Sequence, residues 1–292
     1  MNRMRLMCYI SILLITLLAA CAPAGTPAAT EAPATTVSAA NPPTAVPTAA
    51  PIDLAGPPMQ VGSTYLYFDG ALLVAVPGGS FTMGHGGSDN PEHTVTLSDY
   101  WIYSTKVTNL QYQQCVAVGK CTPPDTQVNL SYTDPSQESN PVVGVKWAQG
   151  EAYCEYANGQ LPTEAQWEKA ARGTDARMFP WGNTFNKNLL NSAEGGKGDT
   201  TAVGSYPGNA SPYGAMDMAG NVWEWVWDWN DRYPSDTQFD PTGPSTGTYR
   251  VSRGGSWRTT AERVTCAMRY PTSQPTVCFD DIGFRTVRRV PQ

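Results

Sequence analysis

The segment Gly220-Asn-Val-Trp-Glu-Trp-Val-Trp-Asp-Trp229 is the most informative stretch of this chain. From Val222 onward it alternates strictly, which predicts a β-strand with two chemically different faces. One face carries Trp223, Trp225, Trp227 and Trp229, and the other carries Val222, Glu224, Val226 and Asp228. The aromatic face could be a stacking platform for a sugar or peptide, or a stripe of the core, where tryptophans are mostly found. We expect Trp223 and Trp225 in the core and leave Trp227 and Trp229 open.

Shorter elements precede this strand. Short strands are predicted within 72–77, 79–84, 94–97 and 100–103. Capping boxes at Thr108/Gln111 and Thr163/Gln166 predict helices that end at Gly119 and Gly173, and a third helix is expected over 147–157. With 27 Gly and 25 Pro in 292 residues, the remainder is expected to be loops and short strands.

The N-terminal part does not have the pattern of a folded domain. Arg3 and Arg5 precede an apolar run that ends at Ala20, too short for the ~20 residues of a membrane span, so residues 1–20 are predicted to be a signal peptide. Leu18-Ala-Ala-Cys21 resembles the bacterial lipoprotein box, which would place acyl chains on Cys21; an ordinary secretory signal is the alternative. Residues 21–57, rich in Ala, Pro and Thr, predict a disordered stalk, and residues 58–292 one domain.

Charge and cysteine content agree with export. The formal net charge is −6, and without Arg3 and Arg5 the balance is 17 basic against 25 acidic residues, or −8. An acidic chain with no basic cluster is a poor candidate for binding nucleic acid.

Five cysteines follow Cys21. Cys115 and Cys121 flank the end of the first helix, where the chain reverses, and are predicted to form a disulfide. Cys266 and Cys278 flank a proline-containing loop and are predicted to form a second disulfide; the alternative is a relocated redox or copper pair. Cys154 is expected to be a free buried thiol.

Several strings occur in a fixed order along the chain. They are Gly79-Ser-Phe-Thr-Met-Gly84, Lys106-Val-Thr-Asn109, Gln160-Leu-Pro-Thr-Glu-Ala-Gln-Trp-Glu-Lys-Ala-Ala-Arg-Gly173, Pro180-Trp-Gly-Asn183, Gly220-Asn-Val-Trp-Glu-Trp225, Gly254-Gly-Ser-Trp257 and Gly283-Phe-Arg285. Together they resemble the formylglycine-generating enzyme family, also called sulfatase-modifying factors, over nearly all of residues 70–288. The resemblance implies an α+β fold that elaborates the C-type-lectin-like fold, loop-rich with short strands and a few helices.

The resemblance also implies an activity. Family members oxidise a sulfatase cysteine to formylglycine with molecular oxygen and a copper ion held by two thiolates, which are ligands that suit Cu(I). Those cysteines follow the Gly-Gly-Ser motif with four residues between them, whereas residues 258–265 of this chain contain no cysteine. We therefore expect neither copper nor oxidase activity. If the domain is an enzyme after all, Ser256 and Cys266 are its candidate catalytic residues.

Calcium is the cofactor that the resemblance favours. The implied ligands of a first ion are the carboxylates of Asp217 and Glu224 and the carbonyls of Gly220 and Val222, since calcium takes six to eight oxygens. The alternative is an ion pair between Glu224 and an arginine such as Arg253 or Arg285. A second, less clearly matched ion would be held by Asn191, the Ser192 carbonyl, Asp199 and the Thr201 carbonyl. Both ions would be structural.

These observations favour a calcium-stabilised, non-catalytic binding or accessory module, lipid-anchored to the cell membrane on its extracytoplasmic side. Its partner would be a peptide, a glycan or an envelope protein. The alternative function is a divergent formylglycine-generating oxidase.

Overall fold

The computed structural model describes residues 60–289. The predicted signal peptide, Cys21 and stalk lie outside these residues. Within them, three α-helices are α1 Asn109–Ala117, α2 Trp147–Tyr156 and α3 Glu164–Arg172. The strands are β1 Thr64–Leu66, β2 Leu72–Val76, β3 Gly79–Met83, β4 His93–Leu97, β5 Tyr100–Tyr103, β6 Trp223–Trp229, β7 Gln238–Phe239, β8 Arg250–Arg253, β9 Arg269–Ser273, β10 Ile282–Phe284 and β11 Val287–Arg289. None of the helices in the described part is long and apolar enough to span a membrane.

Both predicted capping boxes are formed. The Thr108 hydroxyl accepts a hydrogen bond from the Gln111 amide, and the Gln111 side chain accepts one from the Thr108 amide at 2.9 Å. Thr163 and Gln166 do the same at the start of α3. Each pair satisfies two amides that a helix N-terminus leaves without partners. Gly173, with φ of +71°, ends α3.

The strands form three small sheets. β1, β2, β5 and β11 make an antiparallel sheet in that order. In the second sheet, ordered β10-β6-β8-β9, β10 runs parallel to β6 and the other pairs are antiparallel. β3, β4 and β7 form the third. Three short sheets joined by long loops confirm the predicted loop-rich α+β architecture.

Strand β6 separates two parts of the core. Trp223 and Trp225 belong to a cluster that includes Tyr153 and Phe284, whereas Val226 belongs to a second cluster built around Trp167. Because neighbouring residues of a strand point to opposite faces, β6 is buried on both sides. The face that carries Val222, Glu224, Val226 and Asp228 is therefore also an interior face. Its charges, Glu224 and Asp228, must find partners inside the protein.

The cysteines follow the prediction at one pair and contradict it at the other. Cys115 and Cys121 form a disulfide with a Cα–Cα distance of 5.3 Å. Cys266 and Cys278 do not form one, and both thiols are buried, as is that of Cys154. The prediction of a second disulfide is wrong because five of the intervening residues form β9, an extended strand paired with β8, rather than a closed loop.

The disulfide is expected to stabilise the fold by restricting the unfolded chain. A six-residue separation predicts a contribution of about 2 kcal/mol, so Cys115→Ser/Cys121→Ser should lower the free energy of unfolding in urea by roughly that amount. An unchanged urea midpoint would contradict this expectation. Alkylation of the denatured, unreduced chain should modify Cys154, Cys266 and Cys278 but spare Cys115 and Cys121.

Candidate binding cleft

A cavity of about 470 Å³ lies between β6, β9, β10 and the segment that follows the Gly-Gly-Ser-Trp motif. One part of its wall is apolar and the other is charged with both signs. The apolar wall is formed by Trp223, Tyr270, Phe279 and Ile282, and the polar wall by Arg258, Thr259, Thr260, Glu262, Arg263, Asp280 and Asp281. We call this cavity the cleft. Its lining suits a ligand that has both an apolar and a charged portion.

Of the four tryptophans of β6, Trp223 lines the cleft. Trp223 is 5% exposed, and its ring centroid lies 5.2 Å from that of Tyr270. Trp225 is fully buried and donates its indole N–H to the Val145 carbonyl, so both core predictions are correct. The positions left open, Trp227 and Trp229, are partly buried.

The Arg250 guanidinium limits what the outer tryptophans can bind. It lies 3.6 Å from the Trp229 ring centroid, 3.7 Å from that of Trp147 and 5.8 Å from that of Trp227. These are cation–π contacts within the protein itself. The platform for an external sugar is therefore already partly covered by a side chain of this chain.

Ser256, the first candidate catalytic residue, lies beneath the cleft. Its hydroxyl donates to Asp281 Oδ2 at 3.0 Å and lies 3.0 Å from Thr259 Oγ1, which also accepts a hydrogen bond from the Ser256 amide. Ser256 is fully buried. Gly255 has φ of +78°, and a Cβ there would meet Val264, so the Gly-Gly-Ser sequence is needed to make this turn. Ser256 therefore orders the loop rather than facing a substrate.

Cys266, the second candidate, lies in the core and not in the cleft lining. Its backbone amide donates to the Met178 carbonyl and its carbonyl accepts from Arg253. Burial raises the pKa of the Cys266 thiol far above its usual value, which keeps the thiol protonated. A protonated, buried thiol is a poor nucleophile.

A family model for the sulfatase-modifying factor enzyme 1-like domain matches residues 68–290. The chain belongs to this family. The serine/threonine-protein kinase pkn1 of Chlamydia pneumoniae is 35% identical over 240 residues, 75% of this chain and 38% of the kinase. The formylglycine-generating enzyme of Thermomonospora curvata is 34% identical over 250 residues, 63% of this chain and 82% of the enzyme. The solved structure of Treponema denticola variable protein 1 superposes with a TM-score of 0.65 at 27% identity, covering 78% of this chain and 98% of that one. The chain thus spans about two fifths of the length of the Chlamydia kinase.

The copper site of the formylglycine-generating enzymes does not fit the residues of this family member. Thr259 lines the cleft, and Val264, five positions later, is fully buried in an apolar cluster. A threonine hydroxyl and a valine methyl offer no soft ligand for Cu(I). No cysteine is among the residues that line the cleft.

The first calcium site does not fit either. Glu224 Oε2 accepts from Arg285 Nε at 2.6 Å, and Oε1 accepts from Lys106 Nζ at 2.7 Å and from Arg285 Nη2 at 2.9 Å. Although burial opposes its ionisation, the charges of Arg285 and Lys106 lower the pKa of Glu224 below its ordinary value. Asp217 uses its carboxylate to accept from the Gly204 amide and from Asn209. The geometry favours the alternative, the pairing of Glu224 with Arg285.

The second calcium site fits better. Asn191 is 1% exposed, and its Oδ1 has no hydrogen-bond partner, while its Nδ2 donates to the Asp199 carbonyl at 2.8 Å. An unpaired buried carbonyl oxygen is costly unless a cation or water completes it. The Asp199 side chain is exposed, so its carboxylate can coordinate an ion. The Thr201 carbonyl accepts one hydrogen bond, from Asn221 at 2.9 Å, and its second lone pair can also coordinate an ion. Among residues 60–289, three or more His, Cys, Asp or Glu side chains do not converge as a metal site.

Sequence reasoning missed several residues that the fold brings into these sites. Arg258 directly follows the Gly-Gly-Ser-Trp motif and pairs with Asp280 at 2.6 Å across the cleft rim, so its position next to a motif was a usable signal. Tyr270 carries no local signal. Lys106 belongs to one of the matched strings, but its role as a partner of Glu224 requires the fold.

A second cavity, of about 500 Å³, opens beside the N-terminus of α3. Asp228 lies on its wall, is 6% exposed, and accepts a hydrogen bond from the Glu164 amide at 2.7 Å. Burial, followed by the charge of Glu164, raises the pKa of Asp228 to about 7. Since the ordinary value is 3.8, the folded state keeps a proton that the unfolded chain has lost between these two pH values.

The raised pKa predicts a pH dependence of stability. The contribution of Asp228 to the free energy of unfolding should fall as pH rises from about 4 to about 7 and then level off. Asp228→Asn keeps an oxygen acceptor for the Glu164 amide but cannot ionise, so it should remove roughly 2–4 kcal/mol of that fall. Urea unfolding at several pH values measures this. Asp231→Asn, at an exposed residue of the same cavity, is the control, and parallel curves for Asp228→Asn and the parent chain would contradict the expectation.

Proposed function

We propose that the domain is a non-catalytic binding module whose cleft takes a segment of another protein. The observation that carries this proposal is the lining of the cleft, which keeps the volume for a ligand but has Thr259 and no thiol. Catalysis by the family mechanism needs two copper-binding thiolates, whereas recognition needs only shape, apolar surface and charge.

Peptide is the ligand class that this lining favours. The Trp223 and Tyr270 rings, which lie in contact at an angle of 32°, give an apolar surface for a side chain. Arg258 and Asp280 at the rim are both more than one-third exposed on their side chains, so each is available to an oppositely charged ligand group. A peptide offers an apolar side chain flanked by charges, whereas a neutral glycan would leave these charges unused.

The cleft should therefore contain an energetically dominant aromatic residue. Tyr270→Ala should weaken binding of linear peptides selected from a phage-displayed random library at least ~10-fold, because aromatic side chains dominate such interfaces. Phe239→Ala is the matched control, since Phe239 is 76% exposed and borders the other cavity. Binding is measured by fluorescence anisotropy. Equal loss in both variants, or in neither, would rule out the cleft as the peptide site.

The second candidate function is a divergent formylglycine-generating oxidase, favoured by family membership and by 34% identity to the Thermomonospora curvata enzyme. Mass spectrometry of a Cys-x-Pro-x-Arg peptide incubated with this chain, copper and oxygen distinguishes the two. We expect the peptide to remain a thiol, whereas the Thermomonospora enzyme should convert it. Conversion to the aldehyde by this chain would refute the non-catalytic proposal.

We also propose that the second calcium site is real and structural. Asn191 Oδ1, the Ser192 and Thr201 carbonyls and the Asp199 carboxylate would hold the ion and order residues 191–201. Chelation should then lower the melting temperature by several degrees, roughly 5–10 °C if calcium is at ~100 times its Kd. Asp199→Asn should abolish the response to chelator, while Asp175→Asn, an exposed carboxylate on another loop, should not. If the melting temperature of the parent chain is the same in calcium and in chelator, this proposal is wrong.

The position of the module in the cell is proposed from the N-terminal sequence. A lipid on Cys21 and a stalk over residues 21–57 would display the domain outside the cytoplasm, at a distance from the membrane. The Cys115–Cys121 disulfide agrees with an oxidising compartment.

A further inference from the structure

Lys106 lies in an unusual place for a lysine. Its side chain is fully buried, and its ammonium group donates to the Glu224 carboxylate at 2.7 Å and to the Asp217 carbonyl at 2.5 Å. Both residues belong to the segment for which a calcium ion is expected in this family. The ammonium group therefore contacts oxygen atoms of the very residues that a metal ion at this place would use.

Arg285 completes the surroundings of the same carboxylate. Besides its bonds to Glu224, its guanidinium donates to the carbonyls of Tyr103, Ser104 and Met216 at 3.0–3.2 Å. It is fully buried as well. Glu224 is thus surrounded by two fixed cations, and each of them also binds a carbonyl in the loop that leads to Gly220.

The charges of this cluster balance without a metal ion. Lys106 and Arg285 carry two positive charges, and Glu224 and Asp217, which is 2% exposed, carry two negative charges. Adding a divalent cation would leave two buried positive charges without compensation, which is strongly unfavourable in an interior of low polarity. Burial lowers the pKa of Lys106, while the charge of Glu224 opposes that shift.

We propose that the Lys106 ammonium group is a built-in cation that takes the place of a divalent ion in this segment. Lys106 acts as a positioning residue: it holds the 217–224 segment against the start of α1 and so sets the position of Trp223 in the cleft. The 217–224 segment is then ordered independently of calcium, in contrast to the proposed ion at Asn191.

If Lys106 replaces a divalent ion, a substitution that removes its charge and adds a carboxylate should create a calcium site. Replacing Lys106 by glutamate changes the cluster by two negative charges, which one divalent cation restores. The shorter side chain also leaves space for the ion. Lys106→Met, similar in length to lysine but uncharged, leaves neither the charge nor the space and is the matched control.

The test uses the purified full-length chain in detergent, with Asp199→Asn in every variant so that the second site does not respond. Melting temperatures are compared in calcium and in chelator. With Lys106 present, we expect a difference within about 1 °C. Lys106→Glu should melt at least ~6 °C lower in chelator and recover ~5 °C or more in millimolar calcium, whereas Lys106→Met should be destabilised without recovery.

Two results would overturn the proposal. One is a calcium-dependent rise in melting temperature of the chain that retains Lys106, lost on Glu224→Gln, which would show a metal ion beside the lysine. The other is a folded Lys106→Glu variant that calcium does not stabilise. If Lys106→Glu fails to fold with or without calcium, equilibrium dialysis of radioactive calcium against the Lys106-containing Asp199→Asn chain decides: no binding supports the proposal, and one bound ion that Glu224→Gln removes refutes it.

Discussion

The buried carboxylate of Glu224 is the interaction on which much of this structure depends. It lies on β6, next to the cleft, and is bound by Lys106 from the segment before α1 and by Arg285 from the end of β10. Each cation also binds backbone carbonyls of loops that have no sheet partner. Because burying these charges costs free energy, removing one partner would leave the others uncompensated, so the cluster holds its parts in one arrangement.

A second network of buried ion pairs lies on the same face of β6, where Glu224 is directly opposite Arg253 of β8. Glu168 on α3 pairs with Arg172 and with Arg253 of β8, and Glu164 pairs with Arg269 of β9 at 2.7 Å. The face of β6 that carries Glu224, Val226 and Asp228 thus combines apolar packing with buried ion pairs. In a protein with short strands and long loops, such pairs join segments that backbone hydrogen bonding alone does not connect, and arginine suits this role because it offers five donors in a fixed plane.

The proposed binding function depends on the walls of the cleft and not on a copper site. The walls of the cleft include Trp223 of β6, Tyr270 of β9 and Ile282 of β10, which are strands of one sheet. The segment after the Gly-Gly-Ser motif, where the formylglycine-generating enzymes have their copper-binding cysteines, contains Thr259, Thr260 and Val264 in this chain and no cysteine. In the proposed binding module, recognition would depend on the shape of the pocket and not on copper-binding thiolates.

Features that depend on neighbouring residues were predictable from the sequence alone: the two capping boxes, the glycine that ends α3, the Cys115–Cys121 disulfide, the family and its α+β fold. Each rests on contacts between residues a few positions apart, or on many motifs in a fixed order. The partner of Glu224, the failure of Cys266 and Cys278 to pair, and the burial of both faces of β6 were decided by tertiary structure. Lys106 and Glu224 are 118 residues apart, and nothing local distinguishes a carboxylate that will meet a metal ion from one that will meet an ammonium group. Only the folded chain, by excluding water and bringing distant charges within 3 Å, makes that choice.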